Sequence, residues 1–370
     1  MTTPAIDLAD IKTIGQVIAA ARKILDPGVF TWAASGAGVE VTVARNTRAL
    51  GALALIPRLL VDVTNVEIST SFLGVPLQIP VMMAPIGALA LYHPDDARAS
   101  GEGAARAGTS IFCGILSDKP WEEVAATAPR RHFFQMYALG DRSWLGRVIE
   151  RVENAAFAGI CLTADSPAIA RRDSSLAGGY EWNIYRGEGP ANLADIGYDP
   201  EFKRSFTWSD LQWLNRATSL PLILKGVMSA ADALRAIDCG VKGIYVSNHG
   251  GRAVDHGLSP MEVLAEIVAA VDGRAEVIVD SGFTRGAESG GSGGGNRPAA
   301  MLGPGDRRRR RGGKGPGHPQ PGDSIDDDQS GLSKCGGPDS GDGQMVTAPR
   351  TWSGRCRLTR PCALGIVQNA

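Results

Sequence analysis

The sequence predicts an α/β fold, a barrel of eight parallel strands alternating with helices, whose final strand–helix elements are missing. Three observations carry this. Short apolar runs recur from Gln78 onward, separated by stretches with apolar residues at helical spacing. Polar residues collect where those runs end, as on the C-terminal face of such a barrel. No GxGxxG follows an early run, which disfavours, without excluding, an open doubly wound sheet.

Taken in order, residues 5–25 place Ile11, Ile14, Val17, Ile18 and Ala21 on one helical face that ends near Pro27. Val29 to Gly38 is a short helix or turn leading to a second helical pattern at Val41 to Leu50, and together these form an N-terminal cap on the main domain. The strand runs are Ile79–Ala84, Ser110–Cys113, His132–Tyr137, Gly159–Ala164, Leu222–Lys225, Gly243–Ser247 and Glu276–Asp280. Helices are predicted at Asp96–Ala107, Trp121–Ala126, Ser143–Ala155, Ala230–Ile237 and Pro260–Val271. Ser229-Ala230-Ala231-Asp232 reads as a capping box opening one of them. The stretch Arg171 to Phe206 is too long for an ordinary connection and, with Gly178-Gly179, Gly187 and Gly189-Pro190, reads as a covering loop. Seven strand runs are visible. A closed barrel of this kind takes eight.

Lys+Arg 38 against Asp+Glu 39 leaves a formal net charge of −1, so nothing calls for nucleic acid or membrane as a partner. The cysteines form no CxxC pair, and Cys113 and Cys161 lie in apolar runs, which predicts buried reduced thiols and no metal site. Met1-Thr2-Thr3-Pro4 lacks a signal-peptide pattern, and the apolar stretch Val75 to Tyr92 is broken by Pro76, Pro80 and Pro85. A cytoplasmic location is the expectation.

The chemistry concentrates in Ser247-Asn248-His249-Gly250-Gly251-Arg252, directly after the run Gly243 to Val246. His249 can take a proton near neutrality, and Arg252 can hold an anion with a two-pronged donor. A base beside an anion clamp suits proton or hydride removal next to a carboxylate. On these six residues alone, a turn histidine followed by a solvated arginine stays open.

Several ordered motifs go further: PRLLVDVTNVEISTSFLG, MAPIGALALYHPD, FFQMY, CLTADSPAIARRD, LPLILKGV, GIYVSNHGGR and VIVDSG. From about Val29 to Gly286 the chain resembles the FMN-dependent α-hydroxy acid oxidase/dehydrogenase family, whose members are (β/α)8 TIM barrels. The resemblance implies oxidation of a small L-2-hydroxy acid to a 2-oxo acid, with FMN as cofactor and an electron acceptor that the sequence does not identify. It implies His249 as the base, paired with Asp165, and Tyr137 hydrogen-bonding the substrate at the reacting carbon. Arg172 and Arg252 would grip the carboxylate. Lys225 would stand by the flavin pyrimidine, and Gln135 and Thr163 would bind the isoalloxazine. Pro85, Ile86 and Gly87 would line its other edge, with Gly114 and Ser247 beside it. Asp280, with Gly282, would serve the ribityl or phosphate end. Family members are often tetramers, so a homo-oligomer is implied.

The chain also departs from this pattern. Trp32 stands where a carboxylate-binding tyrosine is common, so an indole N–H can donate but not accept. Gly114 replaces a frequent serine, and Leu116 a frequent large aromatic, which implies an altered substrate pocket. After Asp280-Ser281-Gly282-Phe283 comes Thr284 before Arg285, displacing the usual phosphate-binding arginine. The barrel domain is therefore expected to be incomplete at residues 1–286, followed by a Gly/Arg/Pro-rich disordered tail at 287–370 with an arginine run, Arg307 to Arg311. A reading-frame shift in a GC-rich gene, near the codon for Ala287, would produce such a change; translating the other two frames should then restore an aliphatic helix and a Gly-Arg strand end. The rival is a tail whose arginines bind nucleic acid or an acidic partner, with Asp326-Asp327-Asp328 neutralising part of the run. Without an eighth strand, the first and seventh would present open edges, and FMN binding and turnover would be impaired. The alternative function is a non-catalytic remnant or binding protein that uses the tail for interaction.

Overall fold

The computed structural model describes residues 11–55, 59–180, 191–194, 196–199 and 201–284, and the strand at 363–366. Three N-terminal helices come first: α1 (Ile14–Ile24), α2 (Pro27–Ala34) and α3 (Val41–Gly51). A capping box between Thr13 and Gln16 starts α1. Asp26 caps α2 by accepting from Gly28 and Val29, with Pro27 at its first turn.

A hairpin, β1 (Thr70–Phe72) and β2 (Val75–Leu77), precedes the main sheet. Then come β3 (Val81–Met83), α4 (Asp96–Arg106), β4 (Phe112–Gly114), α5 (Trp121–Ala126), β5 (Phe133–Met136), α6 (Arg142–Asn154) and β6 (Ile160–Thr163). After α7 (Asp173–Ala177), α8 (Phe202–Ser205) and α9 (Trp208–Ala217), the rhythm resumes with β7 (Leu222–Val227), α10 (Ala230–Asp238), β8 (Gly243–Val246), α11 (Pro260–Val271) and β9 (Glu276–Val279). All seven predicted strand runs and the five predicted crossover helices are present. Ser229 caps α10 as its sequence indicates.

The eighth position differs from the sequence reading. β10 (Ala363–Ile366) lies parallel between β3 and β9, pairing Leu364 with Val81 and with Val279. The order is β3-β10-β9-β8-β7-β6-β5-β4, and a bridge from Met83 to Ile111 joins its two ends into a barrel. The expectation of open edges on the first and seventh strands is thereby corrected. Its physical source is the short apolar run Ala363-Leu364-Gly365-Ile366, which the Gly/Pro-rich surroundings concealed. The rest of the predicted tail, Arg285, the arginine run and the middle of the covering loop (Gly187, Gly189-Pro190) lie outside the described residues.

Strand parity sets up the site. Alternate residues of a strand share a face, and the paired register puts Phe112, Phe133, Tyr245 and Ile278 on the barrel interior. Phe72 of the hairpin packs edge-on against Phe133 at 5.3 Å, plugging the lower end. Phe134 faces outward onto Trp121 and Phe157. On five strands, two residues above the lower-layer interior position, the side chains turn polar: Gln135, Thr163, Lys225, Ser247 and Asp280, all buried. Removing the plug contact by Phe133→Ala should cost about 3–5 kcal/mol of unfolding free energy, checked by urea denaturation; a change below about 1 kcal/mol would contradict this packing.

Candidate active site at the barrel mouth

His249 follows β8 with a left-handed backbone (φ 59°), an uncommon conformation for a residue with a Cβ. Its N–H donates to Ser247 Oγ at 3.1 Å, and its Nδ1 lies 2.8 Å from Asp165 Oδ1 at the end of β6. Burial alone would raise the Asp165 carboxyl. Its interactions with His249 and with the Lys225 ammonium outweigh burial and hold the group below the usual carboxylate range. An ionised Asp165 keeps the proton on Nδ1, which leaves the Nε2 lone pair as the free base.

Behind this pair sits a compensated cation. Lys225 is fully buried; its Nζ donates to Ser247 Oγ at 2.8 Å and lies 3.6 Å from Asp280 Oδ2. Burial would lower the ammonium, but Asp280 and Asp165 overcome this and hold it above the ordinary lysine value. Gln135 Nε2 donates to Thr163 Oγ1 at 2.9 Å on the neighbouring strands.

On the rim lie two cations of another kind. Arg172 and Arg252 each stand over the Trp32 ring, at 5.4 and 5.0 Å from its centroid. Arg252 Nη1 donates to the carbonyls of Trp32, Ala33 and Ser35 at 3.1, 2.8 and 2.5 Å, closing the C-terminal end of α2. Burial, and then Arg172, lower Arg252 to about 9. Burial likewise lowers Arg172, whose Nε and Nη1 are buried without a hydrogen-bond partner among the described residues. Neither guanidinium has a carboxylate within ion-pair distance among the described residues. Tyr137, after β5, is half-buried; burial and then Asp165 push its phenol well up, so it stays a hydrogen-bond donor.

The structure thus brings together His249 with Asp165, Arg172 with Arg252 and Trp32, Gln135 with Thr163, and Lys225 with Ser247 and Asp280. A Cβ on Gly114 would lie 3.4 Å from both Gln135 Oε1 and the Ile86 carbonyl, and one on Gly87 would meet Leu116 at 3.5 Å. Gly282 (φ 92°) packs against Leu50 and Asn46 of α3. Two residues escaped the sequence reading. Tyr92, half-buried behind β3, is held up at about 12 by burial, partly offset by Arg252 and, more weakly, Arg172; its signal was a lone aromatic in an aliphatic loop. Gly226 (φ 103°) leaves room for Asp165, since a Cβ there would sit 2.4 Å from Asp165 Cβ.

Comparison with known proteins settles the family. The model of the FMN-dependent dehydrogenase family matches residues 21–288. The chain belongs to that family. It is 36% identical over 288 residues to an L-lactate oxidase of Nostoc sp., covering 72% of this chain and 78% of that protein. It is 33% identical over 292 residues to glycolate oxidase of Spinacia oleracea, covering 75% and 79%. Among solved structures, a mandelate oxidase with a C4a-OH-FMN adduct aligns with TM-score 0.68 and 34% identity, covering 74% of this chain and 80% of that one.

FMN is the cofactor of this FMN-dependent dehydrogenase, and the strand-end residues suit it. A flavin ring presents alternating donors and acceptors at its pyrimidine edge, and Gln135, Thr163, Lys225 and Ser247 offer a matching set inside the barrel. The absent side chain at Gly114 leaves a shallow cradle beside Ile86. The chain that would meet a phosphate, past Thr284 and past Ile366, lies outside the described residues.

Two outcomes follow from this geometry. Gly226→Ala should displace Asp165 and lower turnover by about tenfold to a hundredfold, measured by steady-state kinetics, because its left-handed φ and the contact with Asp165 both forbid a Cβ. For pH, the folded value of Asp165 lies below its unfolded value of about 4, so its stabilisation is complete above that pH and is lost as pH falls through the lowered value. Asp165→Asn should flatten that acid limb of unfolding free energy; an unchanged limb would show that the carboxylate carries no such linkage.

Proposed function

We propose that this chain oxidises a 2-hydroxy acid to the 2-oxo acid with His249 as base, Arg172 and Arg252 as the carboxylate grip and Tyr137 as donor to the substrate oxygen. The supporting observation is the pair of half-buried guanidinium groups at the barrel mouth, which have no carboxylate partner among the described residues, beside the His249–Asp165 dyad. Half-buried, uncompensated positive charge of this kind favours a bound anion. A substrate carboxylate supplies it, and Arg172 presents two donor atoms, Nε and Nη1, that have no hydrogen-bond partner among the described residues. So anchored, the carbinol carbon and its hydroxyl face the dyad, and His249 Nε2 accepts one of the two protons that oxidation releases.

Bound FMN supplies the two-electron acceptor. Gln135, Thr163, Lys225, Ser247 and the Pro85-Ile86-Gly87 and Gly114 backbone would hold it, with Asp280 and Gly282 toward its ribityl end. The Lys225 charge would favour negative charge on a flavin held beside it, because a fixed cation needs no reorganisation. Asp165 stabilises the imidazolium that proton uptake creates. Trp32 keeps the two arginines adjacent through its ring and its carbonyl. The relatives named above are oxidases, which supports molecular oxygen as the final acceptor, giving hydrogen peroxide. A purely binding role would use the arginines but leave the dyad without a task.

The test is 2-oxo acid and peroxide formation from lactate, glycolate and mandelate by the full chain reconstituted with FMN. His249→Gln should lower kcat by about a hundredfold to ten-thousandfold. Arg252→Lys should mainly raise KM, because an ammonium cannot reproduce the planar fork. No 2-oxo acid from any of the three, with FMN demonstrably bound, would contradict the reading.

A further inference from the structure

The base loop is held from outside the barrel. Asn46, 1% exposed in the middle of α3, and Asn248, immediately before His249, exchange both amide bonds: Asn46 Nδ2 donates to Asn248 Oδ1 at 3.1 Å, and Asn248 Nδ2 donates to Asn46 Oδ1 at 2.7 Å. Asn248 then fixes the loop on both sides. Its Oδ1 accepts from Gly251 N at 3.0 Å, and its Nδ2 donates to the Leu258 carbonyl at 3.0 Å. The left-handed residues His249, Gly250 and Gly251 lie inside that span.

The helix that carries Asn46 is itself stitched to the same loop. Thr42, one turn earlier on the same face, donates through Oγ1 to the Val254 carbonyl at 3.1 Å and accepts from Gly257 N at 2.9 Å. Asp255 accepts from Val39 N and Thr42 N, each at 2.9 Å, satisfying free donors at the start of α3. Arg45 makes a two-pronged pair with Glu262 at 2.7 and 2.9 Å.

We infer that Asn46 is a positioning residue: through Asn248 it holds His249 in its left-handed conformation with Nδ1 on Asp165. A left-handed residue with a Cβ is unfavourable on its own and persists where surrounding bonds over-determine it. The reciprocal amide pair supplies that over-determination beside His249. Another residue at position 46 would leave the half-buried Asn248 amide partly unpaired and free to turn away from Gly251, and the base would lose its fixed aim. The inference rests on the reading of His249 as base, but its first readout does not require turnover.

The experiment compares wild type, Asn46→Ala, Asn46→Asp and Leu50→Ala in the full chain. Leu50→Ala is the control for a purely structural role, since Leu50 sits in the core on the same helix. The first readout is the Nδ1–H resonance of His249 by NMR, assigned as the signal lost in His249→Gln. The second is the split between kcat and KM in FMN-reconstituted protein. Asn46→Ala should lose or broaden the Nδ1–H signal and lower kcat by about tenfold to a hundredfold with KM within about twofold. Leu50→Ala should lower Tm and keep both the signal and kcat. Should Asn46→Ala not fold, Asn46→Asp has the same shape but cannot donate to Asn248 Oδ1, and should also lose the signal. An intact signal in the folded Asn46 variants, or an equal loss in Leu50→Ala, would overturn the assignment. If the signal behaves as expected but even the wild type forms no 2-oxo acid, the positioning stands and the proposed function fails.

Discussion

A fully buried ammonium organises the upper layer of this barrel. Lys225 on β7 has no access to water, so its charge must be met by protein groups. Ser247 past β8 and Asp280 past β9 meet it, which ties three strand ends at one level. Ser247 then accepts the N–H of His249 with the same oxygen that receives the lysine. The position of the proposed base therefore follows from the solvation of a neighbouring cation. Asp165, which completes the dyad, is held ionised by its contact with His249 and by the charge of Lys225.

The mouth contains two sorts of buried charge, and the contrast carries the functional reading. Lys225 is compensated and stays cationic at little cost. Arg172 and Arg252 are half-buried together, and both are shifted downward with no carboxylate among the described residues to relieve them. Arg252 is nonetheless anchored, because the carbonyls at the end of α2 accept from one of its nitrogens. One guanidinium thus acts as scaffold and charge together, while the other keeps two atoms unpaired among the described residues. Such an arrangement is costly until an anion arrives, so it favours a carboxylate substrate over a neutral one.

Most of this was legible in the chain itself. The strand runs were visible because parallel strands buried on both faces read as continuous apolar stretches, and the interior polar layer was visible as polar residues at or near the ends of five of the seven runs. His249, Asp165 and Lys225 stood at such ends. The cooperation of Arg252 with Trp32 was not legible as it occurs, since it runs through main-chain carbonyls and a ring face, where the sequence pointed to an indole N–H. Gly226 and Tyr92 were missed because each matters through a neighbour far away in sequence. The pairing of Asn46 with Asn248 spans 202 residues and could not be read from either segment. The closing strand was hidden for another reason: four apolar residues in Gly- and Pro-rich text give no periodicity to detect.

The most direct test is anaerobic reduction of FMN bound to the full chain, followed by its visible absorption, using lactate and, separately, lactamide. The two differ in the charge that the arginine pair is held to recognise. The account expects the flavin band to bleach with lactate and to respond at least about a hundredfold more slowly to the neutral amide. Equal rates with both, or no bleaching by any 2-hydroxy acid in flavin-loaded protein, would contradict it.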